Sequence, residues 1–557
     1  MLEKYLPRTE FSSYDDFKKN FKIEKPKNFD FAKDIVDGWA KIDPDKRALV
    51  YCADEPGSER TFSFGDISLL SKRAATWFLN HGIKKGDRVL TLMRRRWEYW
   101  IVAVALCRIG AVVVPCCIQM TEKDISYRIN NSKAKIVLAL ADGDVLKQLK
   151  NIRSKCNSLE TIATIGESKY GDMTSFTNEF IQCEPYEGDS GARPTDEMIV
   201  YFTSGTTGYP KMAVHNRYYP LGHIVTAKYM QRVQDNGLHM TQTDSGWAKF
   251  GWGNIYGQWI CGSAILGYDP IRFNTHHMMD IMKRFEPTSI CIPPTMYRFL
   301  IHDGIMHEHV QSIKWFSTAG EPLSGKVNAK FKEISGQYIH EGFGQSEGTP
   351  ITCGFEWLKI KPSSMGKPSP LYDVRIIHPD GTRCATNEVG EIVIYVKNGT
   401  KQIGLLDYYY YDGEKIDPVV DGIYHTGDTA YEDEDGYYWY VGRVDDMIKC
   451  SGYRIGPFEI ESILNAHESV KESAIIGIPD AIRGQIVCAA IVLKDGYQPS
   501  EALTRELQTF VKENTAPYKY PRKIVYLNEI PKTSSGKIIR HKTKDIVDEI
   551  LKNDIAN

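Results

Sequence analysis

The sequence predicts an α/β fold. It has a large N-terminal domain of parallel-rich sheets covered by helices plus a small antiparallel β module, followed by a small mobile C-terminal α+β domain. Three observations carry this. Short, continuous apolar runs alternate with helix-period segments through the first part of the chain. After about residue 370 the runs become short alternating strands with "DG" and "NG" turns. From 446 a strand–helix–strand pattern begins again. At 557 residues the chain is too long for one core. The expected division is 1–444 and 445–557.

Taken in order, "DRVLTLM" (87–93) reads as a strand, 97–108 as a helix and "AVVVPC" (111–116) as the next strand. Residues 121–130 and 144–151 read as helices, with strands "AKIVLAL" (134–140) and "TIATIG" (161–166). Further strands are "MIVYF" (198–202), "SICIPP" (289–294) and "KWFSTAG" (314–320), each leading into a loop. In a parallel sheet, loops beyond the carboxyl ends of strands are where ligands gather. "YDVRIIHPDG" and "GEIVIYVKNG" form the antiparallel module, and "EDEDGYYWYVGR" (432–443) reads as a hairpin. Leu503, Leu507, Phe510 and Val511 share one helical face.

Composition excludes several classes. Hydrophobic residues at 42% and charged residues at 25% fit a globular protein, and a net charge of −2 favours neither nucleic acid nor an anionic membrane. The basic run "RRR" (94–96) reads as a solvated helix start. Twelve cysteines without a C-x-x-C pair read as reduced thiols of a cytoplasmic protein. The N-terminus "MLEKYLPRTEF" has no apolar signal core. The longest apolar stretch (99–117) carries Arg108, so a buried helix, turn and strand fit it better than membrane insertion.

The segment "YFTSGTTGYPK" (201–211) raises the question of phosphate binding. A Walker A loop needs G-x-x-x-x-G-K-[ST]. Here Gly205 and Gly208 are three apart, Pro210 precedes Lys211, and Met212 stands where a magnesium-binding hydroxyl would be. What remains is a hydroxyl-rich, glycine-bent loop. Thr203, Ser204, Thr206 and Thr207 can donate to phosphate oxygens, while Gly205 and Gly208 let the backbone approach.

This run resembles the phosphate-loop signature of the adenylate-forming superfamily of acyl-CoA synthetases, adenylation domains and luciferases. Other motifs follow in the same order. "STAGEPL" (317–323) resembles the adenine segment, "HEGFGQSEGT" (340–349) the Y-G-Q-T-E motif, and "YHTGD" (424–428) the ribose site. "GRVDDMIKCSGYRIGPFEIE" (442–461) resembles the hinge region and "PKTSSGKIIR" (531–540) the C-terminal lysine motif. "KMAVH", "TDSGW", "CSGYRIGP" and "TAPYKYPRKI" are similar to the medium-chain acyl-CoA synthetases. Phe343 and Ser346 depart from the usual tyrosine and threonine. The former keeps a stacking ring, the latter a hydroxyl.

The resemblance implies an acid–thiol ligase using ATP, Mg²⁺ and coenzyme A on a small-molecule carboxylic acid. A carboxylate attacks the α-phosphorus, and the coenzyme A thiol then displaces AMP. It implies Lys537, Glu347 and Thr203 as catalytic residues, with Glu347 on the metal. Lys537 serves the α-phosphate and the carboxylate, while Lys211 with the loop grips the departing pyrophosphate. Gly320, Glu321, Glu341, Gly342, Phe343, Gly344, Gln345 and Ser346 belong to the nucleotide site. Asp428 and Arg443 serve the ribose, and Arg454 the phosphates. Ser451, Gly452 and Tyr453 lie along the pantetheine arm. Arg483, Tyr518, Lys519 and Tyr520 are candidates for the nucleotide end of coenzyme A. Asp445 is the hinge about which the second domain swings.

For the acyl pocket, Trp247 and Trp252 are expected to bound a slot near Gly253 with Cys291 close by, favouring a short-to-medium-chain or branched acid. The histidines at 276, 277, 302, 307 and 309 lack carboxylate or cysteine partners at metal spacing, and no Ser-His-Asp arrangement is recognisable. Two alternatives stand beside the ligase. One is loading of a carrier protein, with Asp244 holding a substrate amino group. The other is a nucleotide-binding regulator without catalysis.

Overall fold

The computed structural model describes residues 1–556 apart from 56, 204–209, 451–452, 481–482 and 534–536, with the side chains at 454, 517 and 554–556 also left out. The chain forms two compact units, 1–373 with 395–424, and 374–394 with 425–557.

The first unit contains two nine-stranded sheets. One runs in the order 414–416, 408–411, 211–216, 197–203, 112–116, 88–92, 136–140, 161–165, 174–175. From 197–203 to 174–175 its neighbours are parallel. Every residue of Val112–Cys116 is buried, as expected of a strand covered on both faces. Helix Glu98–Arg108 is buried all round. Its buried arginine is satisfied because Arg108 donates to both Asp37 oxygens at 2.7 and 2.9 Å and to Ser71 Oγ at 3.0 Å. Helix Glu122–Ser132 starts on a capping box between Thr121 and Asp124.

The other sheet runs 367–368, 352–353, 339–343, 315–319, 289–291, 238–241, 264–269, 47–53, 60–63. Its members from 339–343 to 47–53 are parallel. Shared direction brings Thr241, Cys291, Ala319 and Phe343, the last residues of their strands, to one edge.

Two features differ from the sequence reading. The arginines at 94–96 are half-buried rather than solvated. Arg94 Nε donates to Asp269 at 3.2 Å, Arg95 donates to the Tyr268 and Thr243 carbonyls, and Arg96 Nε lies 3.7 Å from Glu98. They follow one sheet's strand and bond to the end of the other's, so they join the two. Residues 395–424 leave the antiparallel module and return to the first unit. There Tyr408–Tyr411 pairs antiparallel with Lys211–Asn216.

In the second unit, Asp373–Ile377, Gly390–Tyr395 and Ile423–Glu432 are successive neighbours, with Tyr438–Arg443 also pairing to Ile423–Glu432. A further sheet runs 453–455, 448–450, 484–493, 470–480, with Lys523–Tyr526 parallel to 484–493. Leu503, Leu507 and Val511 of helix Glu501–Asn514 are buried with Ile460 and Leu464 of Pro457–Leu464. Phe510 is half-buried edge-on to His467, its ring centroid 4.9 Å away. The antiparallel module thus groups with the C-terminal elements, a partition different from a cut at 444. A close approach binds them: a Cβ on Gly456 would lie 2.3 Å from the Val441 carbonyl oxygen.

Candidate active site

The phosphate-like loop joins two antiparallel strands, Glu197–Thr203 and Lys211–Asn216, in which Thr203 faces Lys211. Among the described residues the loop leads into the strand Lys211–Asn216, where a Walker A loop would lead into a helix. Ser204, Gly205, Thr206, Thr207 and Gly208 lie outside the described residues. Lys211 Nζ stands 5.5 Å from the Tyr409 ring centroid and 6.0 Å from that of Tyr411. Tyr409 Oη also donates to Glu347 Oε1 at 2.9 Å. One phenol therefore touches both the loop cation and the expected metal ligand. Tyr409 escaped the sequence reading, since "YYYY" (408–411) carries no motif and reaches the loop only through strand pairing.

The Glu347 segment is anchored from behind. Leu406 N–H donates to the Glu347 carbonyl at 2.8 Å, and Tyr424 Oη to Gln345 Oε1 at 2.9 Å. Buried His215 Nε2 donates to the Ser346 carbonyl at 2.7 Å. Burial pushes His215 down to about 4, against the pull of that carbonyl, so the ring is neutral at pH 7. Phe343 is half-buried at its strand end.

Beside it, Gly320 adopts φ +102°, with open space where a Cβ would project, so only glycine suits the position. Glu321 accepts from Thr295 Oγ1 at 2.7 Å and Thr295 N–H at 3.2 Å. Glu341 is buried, and this pushes its carboxyl up to about 8. The Leu323 N–H at 3.3 Å opposes the rise, and Glu321 adds to it. Glu341 is thus largely protonated at neutral pH and can donate as well as accept. Gly342 is filled against Met230, whose Cε would lie 2.3 Å from a Cβ.

The expected acyl slot is rearranged. Trp247 is half-buried before the short helix Ala248–Gly253, and Trp252 is buried within it. Gly253 does not open on a slot, because a Cβ there would meet Thr241 Oγ1 at 2.1 Å. Gly344 is the glycine that faces Trp252, since a Cβ there would lie 2.3 Å from its ring. Cys291 is buried at its strand end, and Lys249 Nζ donates to the Ala319 carbonyl at 2.8 Å. Trp259 is core, donating to the Ala48 carbonyl at 3.0 Å. Asp244 accepts the Gly246 N–H at 2.9 Å, capping its own turn.

In the second unit, Asp428 is buried and faces Arg443 across the hairpin. Arg443 Nη1 donates to Asp428 Oδ2 at 3.1 Å and to the Thr426 carbonyl at 3.0 Å, and Tyr440 Oη donates to Asp428 Oδ1 at 3.2 Å. Tyr440 was missed because it belongs to no motif. Gly427 has φ +68°, which favours glycine, and a Cβ there would lie 2.7 Å from Arg443 Nη2.

Asp445 is exposed in the turn Val444–Asp446. Ser451 and Gly452 lie outside the described residues, as does the Arg454 side chain. Tyr453 and Tyr518 stack at 4.1 Å and 17°, both exposed. Lys519 is paired with Glu459 at 2.5 Å, and Tyr520 accepts from Arg522 at 3.0 Å. Arg483 N–H donates to Asp480 at 2.8 Å, and its side chain is half-buried. Lys537 is exposed. Among the described residues the group with metal-ligand spacing is His378, Cys384 and Glu388, not the histidine runs. Glu347 presents a hard carboxylate oxygen and suits Mg²⁺.

A parallel sheet whose strand ends carry an acid-bearing loop, with Thr203 facing Lys211 across a hairpin in the same unit, suits a nucleotide-binding enzyme. The chain belongs to the AMP-binding enzyme family, which matches residues 36–402, and the AMP-binding enzyme C-terminal domain matches 459–537. It is 36% identical over 549 residues to the mouse (Mus musculus) mitochondrial acyl-coenzyme A synthetase ACSM3, covering 96% of this chain and 93% of that one. Among solved structures, the anthranilate CoA ligase AuaEII with anthranoyl-AMP superposes with a TM-score of 0.83 at 25% identity, over 94% of this chain and 98% of that one. A Brucella canis acyl-CoA synthetase superposes with a TM-score of 0.72 at 27% identity, over 96% and 99%.

Proposed function

We propose that this chain is an AMP-forming carboxylate–CoA ligase acting on a short-to-medium-chain acid, branched acids included. A carboxylate oxygen bonds to the α-phosphorus of ATP and pyrophosphate leaves. The coenzyme A sulfur then bonds to the acyl carbon and AMP leaves. The observation that carries the reading is the Thr203–Lys211 pair at a hairpin loop with Glu347 held by Tyr409. The full-length likeness to proteins named acyl-CoA synthetases supports it.

Hydroxyls and backbone of the loop, with Lys211, hold the phosphates that depart. Lys537 neutralises the carboxylate and α-phosphate as they meet. Asp428 accepts the ribose hydroxyls, its carboxylate already aimed by Arg443 and Tyr440. Glu347 would hold Mg²⁺, which would screen the phosphate charge. Trp252 against Gly344 limits the acyl pocket, and its size sets chain length. Asp445 is the hinge. Asp445→Pro should impair thioester formation from acyl-adenylate and CoA while sparing pyrophosphate release, and equal loss of both sinks that role. A cytoplasmic location belongs to the proposal, resting on thiols that all stand unbridged. Subcellular fractionation tests it.

The decisive experiment measures pyrophosphate release and thioester formation over linear, branched and aromatic acids of C2–C10 with ATP and Mg²⁺. Acid-dependent release coupled to CoA acylation is expected. Release that couples to a carrier protein and not to CoA would favour an adenylation enzyme. No release with any acid would leave only nucleotide binding.

A further inference from the structure

Helix Arg540–Ala556 begins three residues after Lys537. Arg540 Nη2 donates to Glu461 Oε2 at 2.9 Å, and its Nε lies 3.4 Å from Asp446 Oδ2. Glu461 is buried on helix Pro457–Leu464, and its other oxygen accepts the Ile475 N–H at 2.8 Å. Asp446 closes the turn that contains Asp445. Burial pushes both carboxyls up, and Arg540 pulls both back, helped at Asp446 by Arg443 and His541. Asp445 faces Asp446 with the opposite effect.

Lys537 and Ile539 are bonded back to Thr533 and Pro531. Thr533 N–H donates to the Lys537 carbonyl at 2.8 Å, Lys537 N–H to Thr533 Oγ1 at 3.1 Å, and Ile539 N–H to the Pro531 carbonyl at 2.8 Å. Three residues span about 10 Å at most, so there is little slack between Lys537 and Arg540. The rest of the helix is held independently. Val547 is buried, with Ile550 and Leu551 packed beside it, against strands 470–480 and 484–493. Removing Arg540 should therefore loosen the first turn and the Lys537 segment without undocking the helix.

We propose that Arg540 is a positioning residue for adenylation. By clasping Glu461 and Asp446 it fixes Lys537 to the backbone just past Asp445, so that lysine and hinge move as one body. This rests on the reading of Lys537 as the adenylation cation. The reason for an arginine is geometric, since its fork reaches two carboxylates at once where an ammonium holds one.

The test separates the half-reactions in the full chain. It uses the panel acid on which wild type is fastest, and that acid's synthetic adenylate. Arg540→Gln should slow pyrophosphate release roughly 100-fold, the scale of a catalytic group displaced by about 1 Å. Thioester formation from the adenylate and CoA should hold at the wild-type rate. Arg540→Lys should recover part of the loss. Because Arg540→Gln leaves a buried carboxylate unpaired, the double variant Glu461→Gln/Arg540→Gln is made alongside. It should melt as wild type and show the same split. Lys537→Ala is the control. If it is slow while the Arg540 variants release pyrophosphate normally, or if they lose both half-reactions equally, the proposal falls. If Lys537→Ala itself releases pyrophosphate normally, the reading beneath it falls instead.

Discussion

Two antiparallel hairpins, one in each compact unit, present a cross-strand pair of candidate site residues, and they do so in opposite states. In the first unit Thr203 faces Lys211 at the mouth of a loop, and the lysine leans on the rings of Tyr409 and Tyr411. In the second, Asp428 faces Arg443 and has both oxygens engaged, by Arg443 and by Tyr440. The same register device thus yields an ammonium kept near aromatic faces and a carboxylate fully oriented in advance. A site that receives and releases a charged leaving group benefits from a cation on a flexible stem. A site that must recognise one sugar in one pose benefits from a locked acid, because less side-chain freedom is lost on binding.

Breaking the locked site should cost most. Asp428→Ala removes two charge-assisted acceptors and leaves Arg443 without its partner, so the KM for ATP should rise roughly 1000-fold. A rise equal to that of Lys211→Met would erase the distinction between the hairpins. Lys211→Met removes one charge-assisted contact and should slow pyrophosphate release roughly 30-fold, with little change in nucleotide affinity measured by AMP titration. Tyr409→Phe removes the hydroxyl that donates to Glu347 and keeps the ring beside Lys211, isolating one half of that link. About fivefold slower release is expected, with a raised requirement for Mg²⁺ in a metal titration.

A separate effect is on stability. His215 is depressed to about 4 in the fold, against an ordinary 6.5. The unfolded chain then binds a proton that the fold refuses, so stability falls as pH drops from 6.5 towards 4, by about 3 kcal/mol in full. His215→Gln keeps a donor for the Ser346 carbonyl and should flatten the dependence of the denaturation midpoint on pH across that window. An unchanged slope would mean that other groups carry the acid sensitivity.

The alternation of apolar runs with helix-period segments was enough to foresee the parallel sheets, since a strand such as Val112–Cys116 can be wholly apolar only if both faces are covered. Lys211, Glu347, Asp428 and Lys537 were singled out through the resemblance of their motifs to a known family, since each residue type taken alone is ordinary in a loop or turn. Contacts between segments distant in the chain were not legible. Tyr409 meets Glu347, and Arg540 meets Glu461, only because strands and helices far apart in sequence lie side by side. Gly253 looked like an opening in the acyl region until Thr241 of a neighbouring strand took the space, while Gly344, read as part of a nucleotide motif, proved to face Trp252. The basic run at 94–96 followed the same rule, its charges answered by Asp269, by the Tyr268 and Thr243 carbonyls and by Glu98. The sequence by itself determined which chemistry the chain carries and the period of its elements, because both are local properties. Only the tertiary structure decided which side chains share a site and which glycine leaves room, because packing excludes volume and pairs charges across whatever distance in sequence the fold happens to close.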